Sequence, residues 1–276
     1  MDLSQVLETV SRSDAGMVRS HNEDAIHTNP ALGLAILADG MGGYNAGEVA
    51  SGMVTALLGS ELEKAIVRQQ LPPLDGSGQN QARQLLETEI ARANLAVYQA
   101  AQSQPQYAGM GTTLVMAVFC DNTMTVAHIG DSRLYRLRGE TFQQITRDHS
   151  LLQEQIDCGL LTPEQARHSQ NKNLVTRAVG VDPAVEPEIH AYPTLPGDIY
   201  LFCSDGLNDM VEDDEIGMTV QMLSANLELA ATQLVQMAND NGGRDNVSVI
   251  LVRIKQEYPA PRGLSGWLAR LLAWFK

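Results

Sequence analysis

The sequence predicts an α+β fold built from two packed β-sheets with helices outside them. Several short runs are apolar at every position, which is typical of strands that are covered on both faces. Three longer segments instead repeat their apolar residues with the period of a helix. Strands and helices do not alternate strictly along the chain, which disfavours a doubly wound parallel sheet.

The predicted elements follow in chain order. Strands are expected at 34–38, 114–119, 124–129, 199–203 and 247–254, with a hairpin formed by 134–137 and 142–145. Helices are expected at 49–66, 82–101 and 227–238. The segment 71–78 contains Pro and Gly and is predicted to be a loop. From 150 to 187 the apolar pattern weakens, so we expect an excursion from the core there.

Composition restricts the classes of function. The chain of 276 residues has 44% hydrophobic residues, a net charge of −14 and a pI near 4.7, so it can form one large domain or two small ones. Its acidic surface repels phosphate backbones, so nucleic acid is not an expected partner. Three widely spaced cysteines form no disulfide framework and no zinc motif. No signal peptide or membrane span is recognisable, so we expect a cytoplasmic protein.

Four aspartates lie at the ends of predicted strands, each near a small residue. They are Asp39, Asp131, Asp205 and Asp245. Each one alone is most often a turn residue. Strand ends that gather at one edge of a sheet would nevertheless bring the carboxylates together, where they repel one another unless cations neutralise them.

The candidate ligands all carry oxygen donors. No His or Cys recurs at ligand spacing, which favours Mg²⁺, Mn²⁺ or Ca²⁺ over zinc, and no segment matches the EF-hand loop. Glycines after Asp39 allow the backbone to approach a ligand, so the Gly40 carbonyl is a further candidate donor. Upstream, the segment SDAGMVRSHNEDA adds Arg19, Glu23 and Asp24. Arginine beside carboxylates forms ordinary salt bridges, but it can also bind a phosphate bidentately.

With these residues the chain resembles the bacterial stand-alone form of the metal-dependent type 2C serine/threonine protein phosphatases. Eight motifs occur in the family's order: SDAGMVRSHNED at 13–24, LADGMGGYNAGEVAS at 37–51, GMGTT at 109–113, AHIGDSRLYRLR at 127–138, TRDHS at 146–150, NLVTRAVG at 173–180, CSDGLND at 203–209 and GGRDNVSVI at 242–250. Each motif alone is weak, but their order is specific, and the resemblance covers roughly residues 8–254.

The resemblance implies a four-layer α-β-β-α sandwich of two antiparallel sheets with helices on both outer faces. A catalytic domain at 1–256 would carry a flap at about 150–187 that selects substrates. The implied activity is hydrolysis of phosphoserine and phosphothreonine in proteins by a metal-activated water. Phosphorylated proteins and a bacterial serine/threonine kinase with its substrates are the implied signalling partners, and we expect a monomer.

The resemblance also assigns roles at a binuclear Mn²⁺ or Mg²⁺ centre. Asp39 would bridge the two ions, Asp205 and Asp245 would bind the first, and the Gly40 carbonyl would bind the second. Glu23 and Asp24 would contact metal directly or through water, Asp131 with Asp205 would hold a third ion, and Arg19 would hold the substrate phosphate. Eukaryotic members have a His where this chain has Met41, which cannot donate a proton. The general acid therefore stays open, with a metal-bound water as one candidate.

Two other functions stay open beside the phosphatase. A catalytically silent homologue that binds phosphoproteins would be expected to lack a metal aspartate, and this chain retains all four. A hydrolase of small phosphate esters would differ in the flap, which sequence alone does not interpret.

The C-terminal residues 257–276 lie outside the resemblance and are predicted to form a linker and a short amphipathic helix. Its apolar stripe consists of Leu264, Trp267, Leu268, Leu271, Leu272 and Phe275. The helix could dock on its own domain, bind a partner or lie in a membrane interface. The membrane interpretation is not favoured, because only Arg262, Arg270 and Lys276 supply cations and the domain is acidic.

Overall fold

The computed structural model describes residues 2–43, 46–68, 78–162, 165 and 174–259. Within these ranges the strands form two antiparallel sheets. In spatial order the first sheet consists of strands 7–14, 247–254, 199–203, 133–138 and 141–144. The second consists of strands 24–29, 34–41, 114–120, 123–129 and 188–193, and the short strand 111–112 pairs with 34–41. The predicted α+β fold with two antiparallel sheets and helices is therefore confirmed.

The strands are β1 Leu7–Asp14, β2 Asp24–Asn29, β3 Leu34–Met41, β4 Gly111–Thr112, β5 Leu114–Cys120, β6 Thr123–Ile129, β7 Arg133–Arg138, β8 Thr141–Gln144, β9 Glu188–Pro193, β10 Ile199–Cys203 and β11 Val247–Ile254. The helices are α1 Ala46–Val67, α2 Gly78–Ser103, α3 Leu151–Asp157, α4 Asp205–Asn208, α5 Asp213–Met222 and α6 Leu227–Asp240, with a 3₁₀ helix at Pro105–Tyr107.

Three apolar layers explain why the strand sequences are hydrophobic at every position. Leu37 of β3 and Tyr200 of β10 each point toward the opposite sheet and pack in the central layer. Their neighbours along the strand point outward: Ile36 packs in a cluster with α1 and α2, and Leu201 packs in a cluster with α5 and α6. Alternate residues of one strand thus enter two different cores, because each sheet is covered on both faces.

The differences between prediction and structure have physical causes. β3 continues past Asp39 to Met41, because Gly40 and Met41 pair with Thr112 and Gly111 of β4. Strands β1, β2 and β9 lacked a prediction because their sequences are polar and largely half-buried or exposed. Their backbones are held by pairing with β11, β3 and β6.

Part of the excursion at 150–187 is now defined. It begins with α3, whose N-cap Ser150 accepts a hydrogen bond from the Gln153 amide. Residues 163–164 and 166–173 of the predicted flap, and residues 260–276 of the linker and amphipathic helix predicted at 257–276, lie outside the described residues. None of the helices in the described ranges has the length and apolar character needed to cross a membrane.

Candidate metal centre

One end of the sandwich brings the predicted acidic residues together. Asp24 of β2 lies opposite Asp39 of β3 in the strand register. Asp131 follows β6, Asp205 begins α4 directly after β10, and Asp245 precedes β11. Because β10 and β11 are antiparallel neighbours, the end of β10 and the start of β11 lie at the same edge of the first sheet. All five carboxylates therefore converge between the two sheets.

The backbone of Asp39 is held by hydrogen bonds that fix the position of its carboxylate. Its amide donates to Thr113 Oγ1 at 3.1 Å, and its carbonyl accepts from the Thr113 amide and from Thr112 Oγ1, each at 2.8 Å. Burial raises the pKa of Asp39 well above its ordinary value, and the neighbouring aspartates raise it further. Thr112 and Thr113 of the GMGTT motif therefore position the Asp39 carboxylate. The sequence analysis did not assign them this role.

Asp24 has one carboxylate oxygen bound and one left over. Its Oδ2 accepts from Ser204 Oγ at 2.8 Å, and Ser204 Oγ in turn accepts from the Ser248 amide at 3.0 Å. Its Oδ1 is buried and has no hydrogen-bond partner among the described residues. Burial raises the pKa of Asp24 to about 6. An unpaired buried carboxylate oxygen is costly unless a ligand from outside the chain completes it.

Glu23 repeats this pattern beside the glycines that follow Asp39. A Cβ on Gly40 would lie 2.1 Å from the carbonyl oxygen of Gly47, and a Cβ on Gly47 would lie 2.8 Å from Glu23 Oε1. The glycines thus let the start of α1 pack directly on β3, which is a second reason for their presence beside access to a ligand. Glu23 Oε1 is buried without a partner, and burial raises the pKa of Glu23.

The loop that carries Arg19 and Glu23 is fastened by Asn246. Its side-chain oxygen accepts from the Glu23 amide at 2.8 Å, and its side-chain nitrogen donates to the carbonyl oxygens of Ala15 at 3.0 Å and His21 at 2.8 Å. Sequence reasoning missed this residue, although it stands directly after Asp245 in the GGRDN motif.

Arg19 supplies the positive side chain closest to the carboxylates. Its Nη2 lies 2.7 Å from Asp245 Oδ2, and about half of its side chain is exposed (51%). The hydrogen bond to Asp245 raises the pKa of Arg19, so it stays charged. The exposed part of the guanidinium leaves donors available to an anion that approaches from solvent.

Asp131 and Asp205 complete the cluster on the side of α4. Burial raises the pKa of Asp205 well above its ordinary value, with Asp131 as the next cause. Burial raises the pKa of Asp131 to about 6, and Asp148 adds to the shift. Gly130, which precedes Asp131, has a φ of +99° and packs against Thr113, so a side chain there would clash.

The residues at this end fit divalent metal ions with hard-ligand preferences. The candidate donors are carboxylates and the Gly40 carbonyl, and within the described residues Glu23 Oε1 and Asp24 Oδ1 are buried without hydrogen-bond partners. Burial raises the pKa values of Asp24, Asp39 and Asp205, and neighbouring carboxylates add to the rise, so a divalent cation would favour the ionised forms. Oxygen-only ligand sets suit Mg²⁺ and Mn²⁺. The structure thus brings together every predicted site residue: Arg19, Glu23, Asp24, Asp39, Gly40, Asp131, Asp205 and Asp245.

A second cluster with metal-binding spacing, formed by His128, His149 and Glu188, does not fit an ion. The Gly130 amide donates to His149 Nδ1 at 3.2 Å, so the neutral ring carries its proton on Nε2. His128 Nε2 lies 2.8 Å from the Arg147 carbonyl oxygen and is likewise a donor. The rings are stacked at 17°, which prevents both from directing lone pairs at one ion. Burial lowers the pKa of His149 to about 4, so it is also no general acid near neutrality.

Comparison with known proteins agrees with this chemistry. A family model described as Protein phosphatase 2C matches residues 17–248. The serine/threonine protein phosphatase PstP of Mycobacterium tuberculosis is 37% identical over 249 residues, which are 90% of this chain and 45% of that protein, so the chain spans about half its length. The protein phosphatase PhpP of Streptococcus pneumoniae is 36% identical over 250 residues, covering 89% of this chain and 96% of PhpP.

Solved structures are similar over the same extent. The M. tuberculosis phosphatase PstP/Ppp superposes with a TM-score of 0.78 at 36% identity, covering 91% of this chain and 100% of that one. The catalytic domain of PstP in complex with two manganese ions superposes with a TM-score of 0.76 at 37% identity, covering 90% of this chain and 98% of that one.

Proposed function

The chain belongs to the protein phosphatase 2C family, and we propose that it hydrolyses phosphoserine and phosphothreonine in proteins with bound manganese or magnesium ions. The observation that carries this proposal is the cluster of converging carboxylates with unpaired buried oxygens on Glu23 and Asp24. The names of the similar proteins, several of them serine/threonine phosphatases, support the substrate class.

The carboxylates at the sandwich end would hold the ions. Asp39 lies centrally, since it interacts with Asp24, Asp131, Asp205 and Asp245, which suits a bridging ligand. Such ions supply Lewis-acid charge and increase the acidity of water when they are bound. Asp131 and Asp205 lie on the α4 side of the cluster, where a third ion would bind.

The remaining residues bind and orient the substrate. Arg19 donates hydrogen bonds to the phosphate oxygens from the solvent-exposed side of the cluster, and Asp245 and the loop bound by Asn246 hold its guanidinium in place. Met41 follows Gly40 and carries no proton to give, and His149 is neutral and buried beside Glu188. Protonation of the leaving group is therefore left to water.

Membership of the family supports a proposal for the setting of this activity. Phosphorylated proteins, together with the serine/threonine kinase that modifies them, are the partners, and the protein acts in cytoplasmic signalling as a monomer. The catalytic domain would extend over residues 1–256, and the amphipathic segment in 257–276 would dock on the domain, bind a partner or contact a membrane interface without belonging to the catalytic machinery.

A paired assay tests the proposal. The protein is stripped of metal with a chelator and assayed on a phosphothreonine peptide and on phenyl phosphate, with Mn²⁺, Mg²⁺ or Zn²⁺ returned. We expect no turnover in chelator, recovery with Mn²⁺ or Mg²⁺ but not Zn²⁺, and a higher kcat/KM on the peptide. Full activity in chelator would exclude the metal mechanism. Turnover of phenyl phosphate alone would favour a small-ester hydrolase, and metal binding without any turnover would indicate a silent phosphoprotein-binding homologue.

A further inference from the structure

His149 lies beside the candidate metal centre and has no part in the proposed reaction. It is 7% exposed and directly precedes Ser150, the N-cap of flap helix α3. Its ring is neutral near pH 7, because burial lowers the pKa of His149 to about 4. A neutral ring with its proton on Nε2 offers Nδ1 as a hydrogen-bond acceptor, which a protonated ring would not.

Both backbone polar groups of Gly130 bind to His149. The Gly130 amide donates to His149 Nδ1 at 3.2 Å, and the Gly130 carbonyl oxygen accepts from the His149 amide at 2.9 Å. One residue therefore holds both of the peptide units that flank the Gly130 Cα. The φ of Gly130 is +99°, and glycine has more conformational freedom than any other residue. The two bonds remove freedom that this turn would otherwise retain.

The second of these peptide units directs the Asp131 carboxylate. A peptide unit is planar, so the Gly130 carbonyl and the Asp131 amide rotate together. The Asp131 carboxylate accepts a hydrogen bond from this same amide. His149 thus binds one side of a rigid plane whose other side binds the carboxylate. A rotation of the plane would turn the carboxylate away from the place where the proposed third ion needs it.

The other side of Asp131 is connected to Asp39. Ser132 Oγ lies 2.6 Å from Thr113 Oγ1, and Thr113 Oγ1 accepts from the Asp39 amide at 3.1 Å. Asp131 therefore stands between two fixed points, one at the centre of the carboxylate cluster and one at His149. The position of Asp131 relative to Asp39 depends on both.

The backbone of His149 is itself held at the base of the flap. Its carbonyl oxygen accepts from the Thr176 amide at 2.8 Å. The next residue, Ser150, forms an isolated β-bridge with Val175. The chain entering the flap is thus joined to the chain returning from it at the residue that holds Gly130. This anchoring lets His149 serve as a firm support for the turn.

We propose that His149 is a positioning residue that fixes the turn at Gly130 and thereby sets the direction of the Asp131 carboxylate for binding a divalent ion. The inference rests on the proposed phosphatase function, in which Asp131 helps to hold a third ion. The histidine acts through the backbone and exchanges no proton with the substrate.

Two variants of similar shape separate the hydrogen bond from packing. His149→Asn places an amide oxygen as many bonds from the Cα as Nδ1, so it can accept from the Gly130 amide. His149→Leu has the same branching and no acceptor. Both lose the ring, so a difference between them reports the acceptor. His190→Leu makes the Leu change at an exposed position of β9 and is the control.

The first measurement is calorimetric titration of the metal-free proteins with Mn²⁺. Asp131→Asn serves as the reference, because the ion that it loses identifies the affected site. His149→Leu should bind that ion about tenfold more weakly or worse, as is typical when the support of a metal ligand is removed, and should bind the other ions as the wild type does. His149→Asn and His190→Leu should match the wild type throughout.

The second measurement requires neither metal nor substrate. In chelator, the Gly130 amide should exchange its hydrogen roughly fivefold faster in His149→Leu than in His149→Asn, since one hydrogen bond has been lost. Amides in the middle of β5 and β6 should exchange equally in the two variants, because the pairing of these strands does not involve His149. A general loss of stability would instead accelerate exchange in those strands as well.

A third measurement keeps the proposal testable if His149→Leu does not fold. His149→Phe retains a ring that can stack on His128 and still lacks the acceptor, so it can replace the Leu variant. In the wild type, nitrogen NMR should show His149 Nδ1 unprotonated and Nε2 protonated. A protonated Nδ1 could not accept from the Gly130 amide and would overturn the proposal without any variant.

The outcomes separate this proposal from the proposed function. Unchanged Mn²⁺ binding in a folded His149→Leu variant would overturn the role of His149 and leave the phosphatase function standing. If His149→Asn loses the ion as well, the ring acts through packing and the positioning bond is wrong. If Asp131→Asn binds Mn²⁺ as the wild type does, Asp131 holds no ion and the proposal fails.

The converse result is also distinguishable. If His149→Leu loses the ion that Asp131 binds, but the wild type with saturating Mn²⁺ hydrolyses no phosphothreonine peptide, the phosphatase function fails and the assignment of His149 stands.

Discussion

An aspartate lies just outside each end of strand β10, and the two carboxylates have opposite environments. Asp198 precedes the strand and is 1% exposed. Arg138 binds both of its oxygens at 2.8 and 2.7 Å, the Leu195 amide donates at 2.8 Å, and the Tyr200 hydroxyl donates at 3.0 Å. Burial alone would raise the pKa of Asp198, but these hydrogen bonds outweigh burial and lower it.

Asp205 follows the same strand, and within the described residues its carboxylate has no such set of donors. Burial raises the pKa of Asp205 well above its ordinary value, and Asp131, Asp209 and Asp245 add to that rise. Arg19, a positive group of the cluster, is bound to Asp245 at 2.7 Å. The fold thus supplies Asp198 with a full set of donors, whereas the described part of the chain shows no comparable set at the other end of the strand.

The contrast distinguishes a structural acid from a functional one. At Asp198 the positive charge comes from the chain, so the pair is complete on folding. At Asp205 the proposed ions would supply the positive charge, and their binding would relieve the repulsion among the buried carboxylates. The two ends of β10 should therefore differ in what they contribute. Asp198 should matter mainly for stability, and Asp205 should matter mainly for activity.

The largest expected effect is on activity at the Asp205 end. Asp205→Asn keeps the shape but removes a charge that the ions require, so turnover of a phosphothreonine peptide should fall about a hundredfold or more. In chelator the variant should be at least as stable to denaturant as the wild type, because a repulsive charge has been removed. Denaturant unfolding in chelator and calorimetric Mn²⁺ titration provide the two measurements. A strong loss of metal-free stability would make Asp205 a structural acid like Asp198.

The next effect, on stability, is expected at the other end of β10. Asp198→Asn leaves Arg138 without its partner and weakens the bonds to Leu195 and Tyr200, so the free energy of unfolding should fall by about 2–4 kcal/mol. The exposed pair of Asp157 with Arg147 offers a control, since Asp157→Asn should change the free energy of unfolding far less than Asp198→Asn does.

Peptide turnover per folded molecule should be near the wild-type value in the Asp198→Asn variant. If activity falls only in proportion to the unfolded fraction, Asp198 acts on stability alone, as the comparison of the two ends of β10 predicts. Activity lost in fully folded protein, with metal affinity reduced, would contradict it.

Sequence reasoning reached the fold and the acids but not the difference between these two ends. The apolar run at 199–203 predicts a strand, and an aspartate stands on either side of it. What separates them is Arg138, which is 60 positions away and approaches Asp198 only because β7 pairs with β10. A partner chosen by tertiary pairing leaves no local signal, so the position of Asp205 at a strand end did not by itself distinguish it from Asp198, and the resemblance assigned its metal role.

The same reason explains which supporting residues were missed. Asn246 connects to Glu23 and His21 across more than 200 positions, and Thr113 holds Asp39 from the link between β4 and β5. Periodicity predicted the strands that are buried on both faces, but not β1 or β2, whose polar sequences are fixed by register with β11 and β3. Residues whose role is to hold other residues become recognisable only when the strands are paired.

The smallest effect is a difference in pH dependence, measured without metal. The pKa of Asp131 is raised to about 6 by burial, above an ordinary value of 3.8. Between these values the folded carboxyl binds a proton that the unfolded one does not, so this contribution stabilises the fold as pH falls and is lost as pH rises through about 6. From pH 7 to pH 5 it amounts to about 1 kcal/mol. Asp198, whose pKa is lowered, contributes stability that is fully present between pH 5 and pH 7 and is lost only as pH falls below about 3.8.

In chelator, lowering the pH from 7 to 5 should therefore stabilise Asp131→Asn by about 1 kcal/mol less than it stabilises the wild type, as measured by the free energy of unfolding. This pH effect should be unaltered in Asp198→Asn. His149, with a pKa lowered to about 4, opposes the trend because the unfolded chain takes up its proton first, but it does so equally in all three proteins. Saturating Mn²⁺ should reverse the wild-type trend, since protons then compete with the ions for the carboxylates. If the free energy of unfolding depends on pH equally in Asp131→Asn and in the wild type, the Asp131 carboxylate is ionised in the metal-free fold. The repulsion inferred at this end of the sandwich would then have to be relieved by groups of the chain itself.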